Sequence, residues 1–485
     1  RCAAIIGGGL GGLAVALRLS VRGWRVVLCE KNDHVGGKMN RYVQQGLRFD
    51  TGPSLITMPW VFEELFQDSG TSLHDYLKLL PVQPLGDYFF SDGTRLRYTA
   101  TLPHWIDTLT QISPSDTTGF LKYMHLGARL YQLSASTFLR RPITDPPDKH
   151  VLKALWGIPI KHAWGNYHKT VENHFHDKRL QQLFDRYPTF VGSSPYAVPA
   201  TLTLIPYLEY ALGGFHIQGG LYRLIETLEK RALEKGVEIR THSEVVAIHH
   251  RTGRCTGVET NAGDEIPANV IVMNGDHSLA SRLLGKTDQT LPTKDHSLSG
   301  FLLLLAVKRN SLDLVHHNVF FSSNYREEFD DLCEKLVFPS DPTVYICAPA
   351  RTDPTMATDE YEPLFVMANA PPRTELWDDT YTAKARNAVF QRLRRSGQGD
   401  IESCIVSERV ITPRDIAIRD NATGGAIYGQ NAHGWRKAFF RPPNKDPKIK
   451  GLYYVGGTVH PGGGTPIVLL SARIVTELIG RYENR

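Results

Sequence analysis

Cys2-Ala3-Ala4-Ile5-Ile6-Gly7-Gly8-Gly9-Leu10-Gly11-Gly12-Leu13-Ala14-Val15-Ala16-Leu17-Arg18-Leu19 opens the chain. The first five residues read as a short buried strand, and residues 13–19 carry apolar side chains at helical spacing. Between them Gly7, Gly9 and Gly12 fit G-x-G-x-x-G. The first permits a tight turn, the second lets the backbone approach a pyrophosphate, and the third lets helix and strand pack closely. Leu10 and Gly11 begin the helix, whose unpaired N–H groups and positive dipole end suit phosphates. A second strand, residues 24–29, ends in Glu30, placed to accept hydrogen bonds from the ribose of an adenine nucleotide. An acid there favours an unphosphorylated ribose. A glycine cluster alone could be a surface turn. Strand, glycine turn, helix, strand and terminal acid nevertheless follow one another within about thirty residues, which predicts a dinucleotide-binding unit in an α/β fold.

The rest of the composition agrees with a large folded protein. In 485 residues, 41% are hydrophobic and 22% charged, enough for a sizeable core and two or three domains. Lys and Arg number 55 against 50 Asp and Glu, a net +5 that is too slight to indicate a nucleic-acid partner. The longest aliphatic runs, such as residues 301–307, fall far short of the roughly 20 apolar residues that span a bilayer. The six cysteines are scattered without a CxxC pair, which suits a reducing compartment. The chain opens at Arg1 and runs straight into a strand, so a few leading residues are expected to have been trimmed, and no signal-peptide pattern is read.

Two later stretches carry similar glycine, strand and helix signals. Gly213-Gly214-Phe215-His216-Ile217-Gln218-Gly219-Gly220 precedes an amphipathic helix over 221–235, followed by β-like runs at 237–239, 245–248 and 270–274. Near the end, residues 451–457 read as a strand closing on Gly456 and Gly457. Thr465 can then cap, and Pro466 begin, an apolar helix from Ile467 to residue 479. That helix would point its positive end at whatever lies beside Gly456.

Glu30-Lys31-Asn32-Asp33-His34-Val35-Gly36-Gly37-Lys38 and Asp50-Thr51-Gly52-Pro53-Ser54 resemble the amine-oxidase-like flavoproteins. In that family E-x5-G-G-[RK] and the D-x-G segment line the pyrophosphate and flavin. The resemblance implies FAD and carries Lys31, Gly36, Gly37, Lys38, Gly52, Pro53, Ser54, Val245 and Asn274 over as cofactor contacts, although Gly36-Gly37 alone could be a hairpin turn and a strand valine is ordinarily core. The tail Tyr454-Val455-Gly456-Gly457-Thr458-Val459-His460-Pro461-Gly462-Gly463-Gly464-Thr465-Pro466-Ile467 resembles the C-terminal signature of carotenoid desaturases, the phytoene-desaturase family. Residues 184–195, His316-His317-Asn318-Val319-Phe320-Phe321, residues 341–345 and Arg441-Pro442-Pro443-Asn444 are similar to further family stretches in collinear order. Many phytoene desaturases read closer to G-A-G-T-H-P-G-A-G. The form here looks more like members that act on C30 chains or on later carotenoid intermediates.

The resemblance implies removal of two hydrogens from an acyclic C30 or C40 polyene or its hydrocarbon precursor: a hydride to flavin N5, then loss of a proton, with quinone or oxygen as final electron acceptor. The protein would supply alignment, exclusion of water and a weak proton acceptor. Asp185, Glu209 and His460 are the candidates, although Asp185 could be only an ion-pair partner of Arg186 and His460 only a turn residue. No metal is expected, because His249-His250 and His316-His317 are adjacent pairs and neighbours on a strand point to opposite faces. Residues 140–179 set eight basic residues (Arg140, Arg141, Lys149, Lys153, Lys161, Lys169, Lys178, Arg179) against four acids (Asp145, Asp148, Glu172, Asp177). Interleaved Leu152, Leu155, Trp156, Ile158, Ile160 and Trp164 suit peripheral attachment to the cytoplasmic side of a membrane, the bland alternative being a solvated helical face.

The expected architecture is a discontinuous Rossmann-like FAD-binding domain (1–75, 213–285 and 420–485), a mainly helical, membrane-associating region (76–212, with residues 120–140 amphipathic) and an α+β substrate region (286–419). Rival readings are a hydroxycarotenoid 3,4-desaturase or terminal-methyl oxygenase of the same family, a flavin oxidase of a small polar substrate, and a non-enzymatic prenyl-binding escort protein.

Overall fold

A computed structural model describes residues 1–146, 149, 165–287 and 291–483. Its nucleotide-side layer is a five-stranded, all-parallel sheet in the order Leu452–Tyr454, Val270–Met273, Cys2–Ile6, Arg25–Cys29, Glu238–Arg240. Such a sheet is covered on both faces, so its strands are nearly unbroken apolar runs. Ile5 sits in register with Leu28 on one side and Val272 on the other, and all three are fully buried. Each such side chain contributes about 1.5–3 kcal/mol over its exposed state. The helices Leu10–Val21, Arg223–Glu234 and Thr465–Glu483 pack on this sheet through one shared core that includes Leu13, Leu17, Leu228, Leu470 and Ile474. The last helix begins at Thr465 itself, one residue earlier than the capping pattern suggests.

The second layer is a seven-stranded mixed sheet, ordered Ile405–Ile411, Ser299–Lys308, Tyr361–Ala370, Val344–Cys347, His317–Phe320, Gly86–Phe89, Arg95–Tyr98. Every pairing is antiparallel except that of His317–Phe320 with Gly86–Phe89. Its last two strands come from the stretch expected to be mainly helical. Arg95-Leu96-Arg97-Tyr98 alternates exposed and buried residues, but four residues are too few for that period to stand out. The same stretch holds the expected long helix, as Pro114–Thr137. Residues Asp148, Leu152, Lys153, Leu155, Trp156, Ile158, Ile160, Lys161 and Trp164, on which the membrane-attachment reading leans, lie outside the described residues. Among the described residues no helix is long and apolar enough to cross a membrane.

Register decides what the large sheet shows to the first layer. Leu302 opposes Met367, Met367 opposes Tyr345, Cys347 opposes His317, and Tyr345 opposes Val319. Opposed residues share a face and alternate residues along a strand return to it. Leu302, Met367, Tyr345, His317 and Val319 therefore form one wall.

Candidate functional site

A cavity of about 660 Å³ extends from the carboxyl ends of the parallel strands to this wall, the place where open α/β sheets bind ligands. Gly7, Gly9, Leu10, Gly11, Glu30, Lys31, Gly36, Gly37, Lys38, Gly52, Pro53, Ser54, Val245, Asn274, Gly456, Gly457, Thr465, Pro466 and Ile467 all line it. Gly12 does not. Its Cβ would lie 2.2 Å from the Gly7 carbonyl oxygen, so it serves the close contact of helix and strand. Gly7 has φ +96°, a conformation side chains disfavour. Glu30 accepts from Gly8 N–H at 2.8 Å and from Asn32 N–H at 3.0 Å, which fixes its buried carboxylate at the cavity edge.

Gly9 caps the first helix without a side-chain bond, and no acid occupies the first turn. Its N–H groups and dipole are thus uncancelled toward an anion. The Thr465–Glu483 helix likewise lacks an acid in its first turn. Asn444 holds the connecting loop, donating to His460 O at 2.8 Å and Ser471 Oγ at 3.0 Å. Lys38 donates to the Ile427 carbonyl. Burial pushes its ammonium pKa down, against the pull of Asp420 and Asp276, which line the same cavity. Arg441 is a second cation here, and it is buried. Its guanidinium donates to the carbonyls of Tyr428 and Gln430, each at 3.1 Å, and burial pushes it down to about 10. A glycine cradle, an anchored acid, two helix starts without an acid in the first turn, and one half-buried and one buried cation fit FAD, with its two phosphates and electron-poor ring.

At the other end the three proposed proton acceptors part company. Glu209, from helix Leu204–Leu212, lines the cavity and accepts from the Tyr187 hydroxyl. Burial raises its pKa, countered by Arg186 and Tyr187. Asp185 is absent from the wall: its carboxylate turns to His168 Nδ1 at 2.7 Å, and burial raises it to about 6 against that partner. Its neighbour Arg186 takes the cavity position. There it donates to Tyr88 Oη at 3.0 Å and lies 4.9 Å over the Phe190 ring. His460 is also absent from the wall. Its Nε2 donates to Arg141 O at 2.8 Å, its ring meets Phe138 edge to face, and burial lowers it to about 4. It is a turn residue held by backbone.

Two wall residues escape a sequence reading. Tyr345 donates to Ser54 Oγ at 2.7 Å and lies 2.7 Å from His317 Nδ1. The argument against a metal from adjacent histidines also fails at His316-His317. His316 precedes the strand, and the two rings lie 4.5 Å apart, edge to face.

A family model described as flavin containing amine oxidoreductase matches residues 10–479. The chain is 34% identical to the 4,4'-diapolycopene oxygenase of Methylomonas sp, over 98% of this chain and 97% of that protein. It is 35% identical to the 1-hydroxycarotenoid 3,4-desaturase of Flavobacterium sp., over 98% of each. Putrescine oxidase bound to putrescine shares the fold with a TM-score of 0.64 at 14% identity, over 100% of this chain and 99% of that one. The glycine cradle and these matches lead to one conclusion: the chain belongs to the flavin-containing amine oxidoreductases, in the group of the carotenoid desaturases and oxygenases, and is an FAD-dependent oxidoreductase.

Proposed function

We propose that the chain introduces C=C bonds into an acyclic C30 or C40 carotenoid. The observation that carries this reading is the wall opposite the glycine cradle: Leu302, Val319, Phe365 and Met367 offer a polyene an apolar face to lie along. Relatives named for carotenoid substrates match along nearly the whole chain. FAD, when bound, accepts the two electrons that leave a C–H bond.

The chain's own residues do the rest. The sheet wall orients the hydrocarbon and excludes water. Glu209, with its carboxyl pKa raised by burial, takes the proton, and Tyr187 holds it in place. Arg186 keeps Glu209 ionised enough to act as a base while its own charge rests on aromatic faces. The FAD site is assigned to the segments 1–75, 213–285 and 420–485, and its contacts to the lining residues named above.

A second reading within the family is 3,4-desaturation of a hydroxycarotenoid or oxygenation of a terminal methyl, favoured by the names of two relatives and by the Gly-Gly-Thr-Val-His-Pro-Gly-Gly-Gly tail. Expression in cells that accumulate phytoene, dehydrosqualene or hydroxylated neurosporene separates these readings. Desaturation gives products short of hydrogen with longer-wavelength spectra; oxygenation gives products that gain oxygen. Unchanged pigment in all three hosts would refute both. We also infer quinone or oxygen as electron acceptor and peripheral contact with the cytoplasmic face of a membrane. The insolubility of such a substrate and the basic, aromatic sequence of residues 140–179 support that contact.

A further inference from the structure

At the His317–Tyr345 corner of the wall lies a group of side chains to which the proposed reaction gives no proton or electron to carry. His317 and Cys347 oppose each other across an antiparallel ladder, so their side chains share a face. His316 stands beside them. One ligand atom from each of His316, His317 and Cys347 lies within 4.8 Å of the other two. His216, from the short strand Phe215–Ile217, brings its ring centroid to 5.2 Å from that of His316. All four residues are buried.

The hydrogen bonds sort the ring nitrogens. The Tyr345 hydroxyl spends its proton on Ser54, so it can only accept from His317 Nδ1. His317 Nε2 is therefore a bare lone pair. It is buried and finds no hydrogen-bond partner among the described residues. The same holds for His316 Nε2, whose Nδ1 bonds Thr352 Oγ1 at 2.7 Å, and for both nitrogens of His216. Buried polar atoms are rarely left so. Imidazoles oriented by an oxygen on one nitrogen, with the other free beside a thiol, have the form of metal ligands with their outer-shell partners in place.

We propose that His316, His317 and Cys347, with His216 as fourth ligand, bind one borderline-soft divalent cation of the zinc class. The mixed nitrogen and sulfur donor set selects such an ion over calcium or magnesium. Binding releases the Cys347 thiol proton to solvent and changes no oxidation state. The resulting single positive charge faces Asp353, whose Oδ2 lies 3.8 Å from His216 Nε2. Tetrahedral ligation spaces ligand atoms by about 3.3–3.6 Å, so the donors draw in by about 1 Å on binding. The ion would tie the Phe215–Ile217 strand to the ends of two interior strands of the large sheet and fix Tyr345 against the cavity. This proposal does not rest on the carotenoid reading.

The test uses FAD-loaded protein. Metal analysis after purification is expected to find about one zinc per chain. After chelation, one equivalent of Co²⁺ is expected to produce tetrahedral d–d bands and a thiolate charge-transfer band in the difference spectrum, with FAD retained. Cys347→Ser should remove the charge-transfer band, and His316→Gln should weaken zinc binding by at least about tenfold. Retained FAD and a single cooperative melting transition show that each variant folds, and loss of the ion is expected to lower its midpoint. Should a variant fail to fold, the wild-type cobalt spectrum decides alone. Purified protein free of zinc that also gives no charge-transfer band with Co²⁺, or a band that survives Cys347→Ser, overturns the proposal.

Discussion

Asp185 and Glu209 are both buried acids on helices beside the cavity, and the difference between them is orientation. One faces His168 and the other faces the cavity. Glu209→Gln is expected to lower carotenoid turnover by about 10²-fold, the usual share of a general base, with flavin content unchanged. Asp185→Asn should leave turnover within a few-fold of wild type. Equal losses in both, measured as product formed per bound flavin, would remove Glu209 from its role. His460 makes a different prediction. Its folded-state pKa of about 4 lies below the ordinary 6.5, so the unfolded chain binds the proton first as pH falls. Its contribution is full above about pH 6.5 and is lost as pH drops toward 4, by about 3 kcal/mol in all. The stability gap between wild type and His460→Gln, followed by urea melts, should narrow over that window; a gap constant with pH would contradict the buried neutral ring.

Among the elements, the glycine turn bears the sharpest steric constraint. Gly12→Ala would set a methyl 2.2 Å from the Gly7 carbonyl, inside any contact distance, and push the Leu10–Val21 helix off its strand. The expected result is protein that emerges from purification without flavin absorbance and melts several degrees lower. Normal flavin content would show that the turn tolerates the shift. This unit was legible in the sequence because neighbours decide it: apolar strand, glycines, helical spacing and acid are all local signals. The same held for the terminal helix. What escaped was set at a distance. Whether Asp185 or Arg186 reaches the cavity depends on how one short helix is rotated, which adjacent residues cannot report. The meeting of His317 with Cys347 depends on ladder register between strands distant in the sequence. The opposite-faces rule applied to His316-His317 presumed both were in a strand, and only the second is.

At the scale of the molecule, the cavity joins two sheets that perform different tasks. The parallel sheet presents backbone N–H groups and glycines, whereas the mixed sheet presents mainly apolar side chains, with His317 and Tyr345 at one corner. Met367 marks the middle of that second wall, flanked in register by Leu302 and Tyr345. Replacing it with tryptophan puts a rigid ring into the space beside them without touching the glycine cradle. If a long hydrocarbon lies along the sheet, Met367→Trp should cut its turnover at least about tenfold, since a stiff polyene cannot detour around a filled wall. FAD content and melting temperature should stay near wild type, because the added volume enters open space. A substrate small enough to sit at the cradle alone would be converted as before. Turnover of an acyclic carotenoid that survived Met367→Trp would mean that the hydrocarbon does not run along Leu302, Met367 and Val319, and the desaturase reading would lose the observation on which it stands.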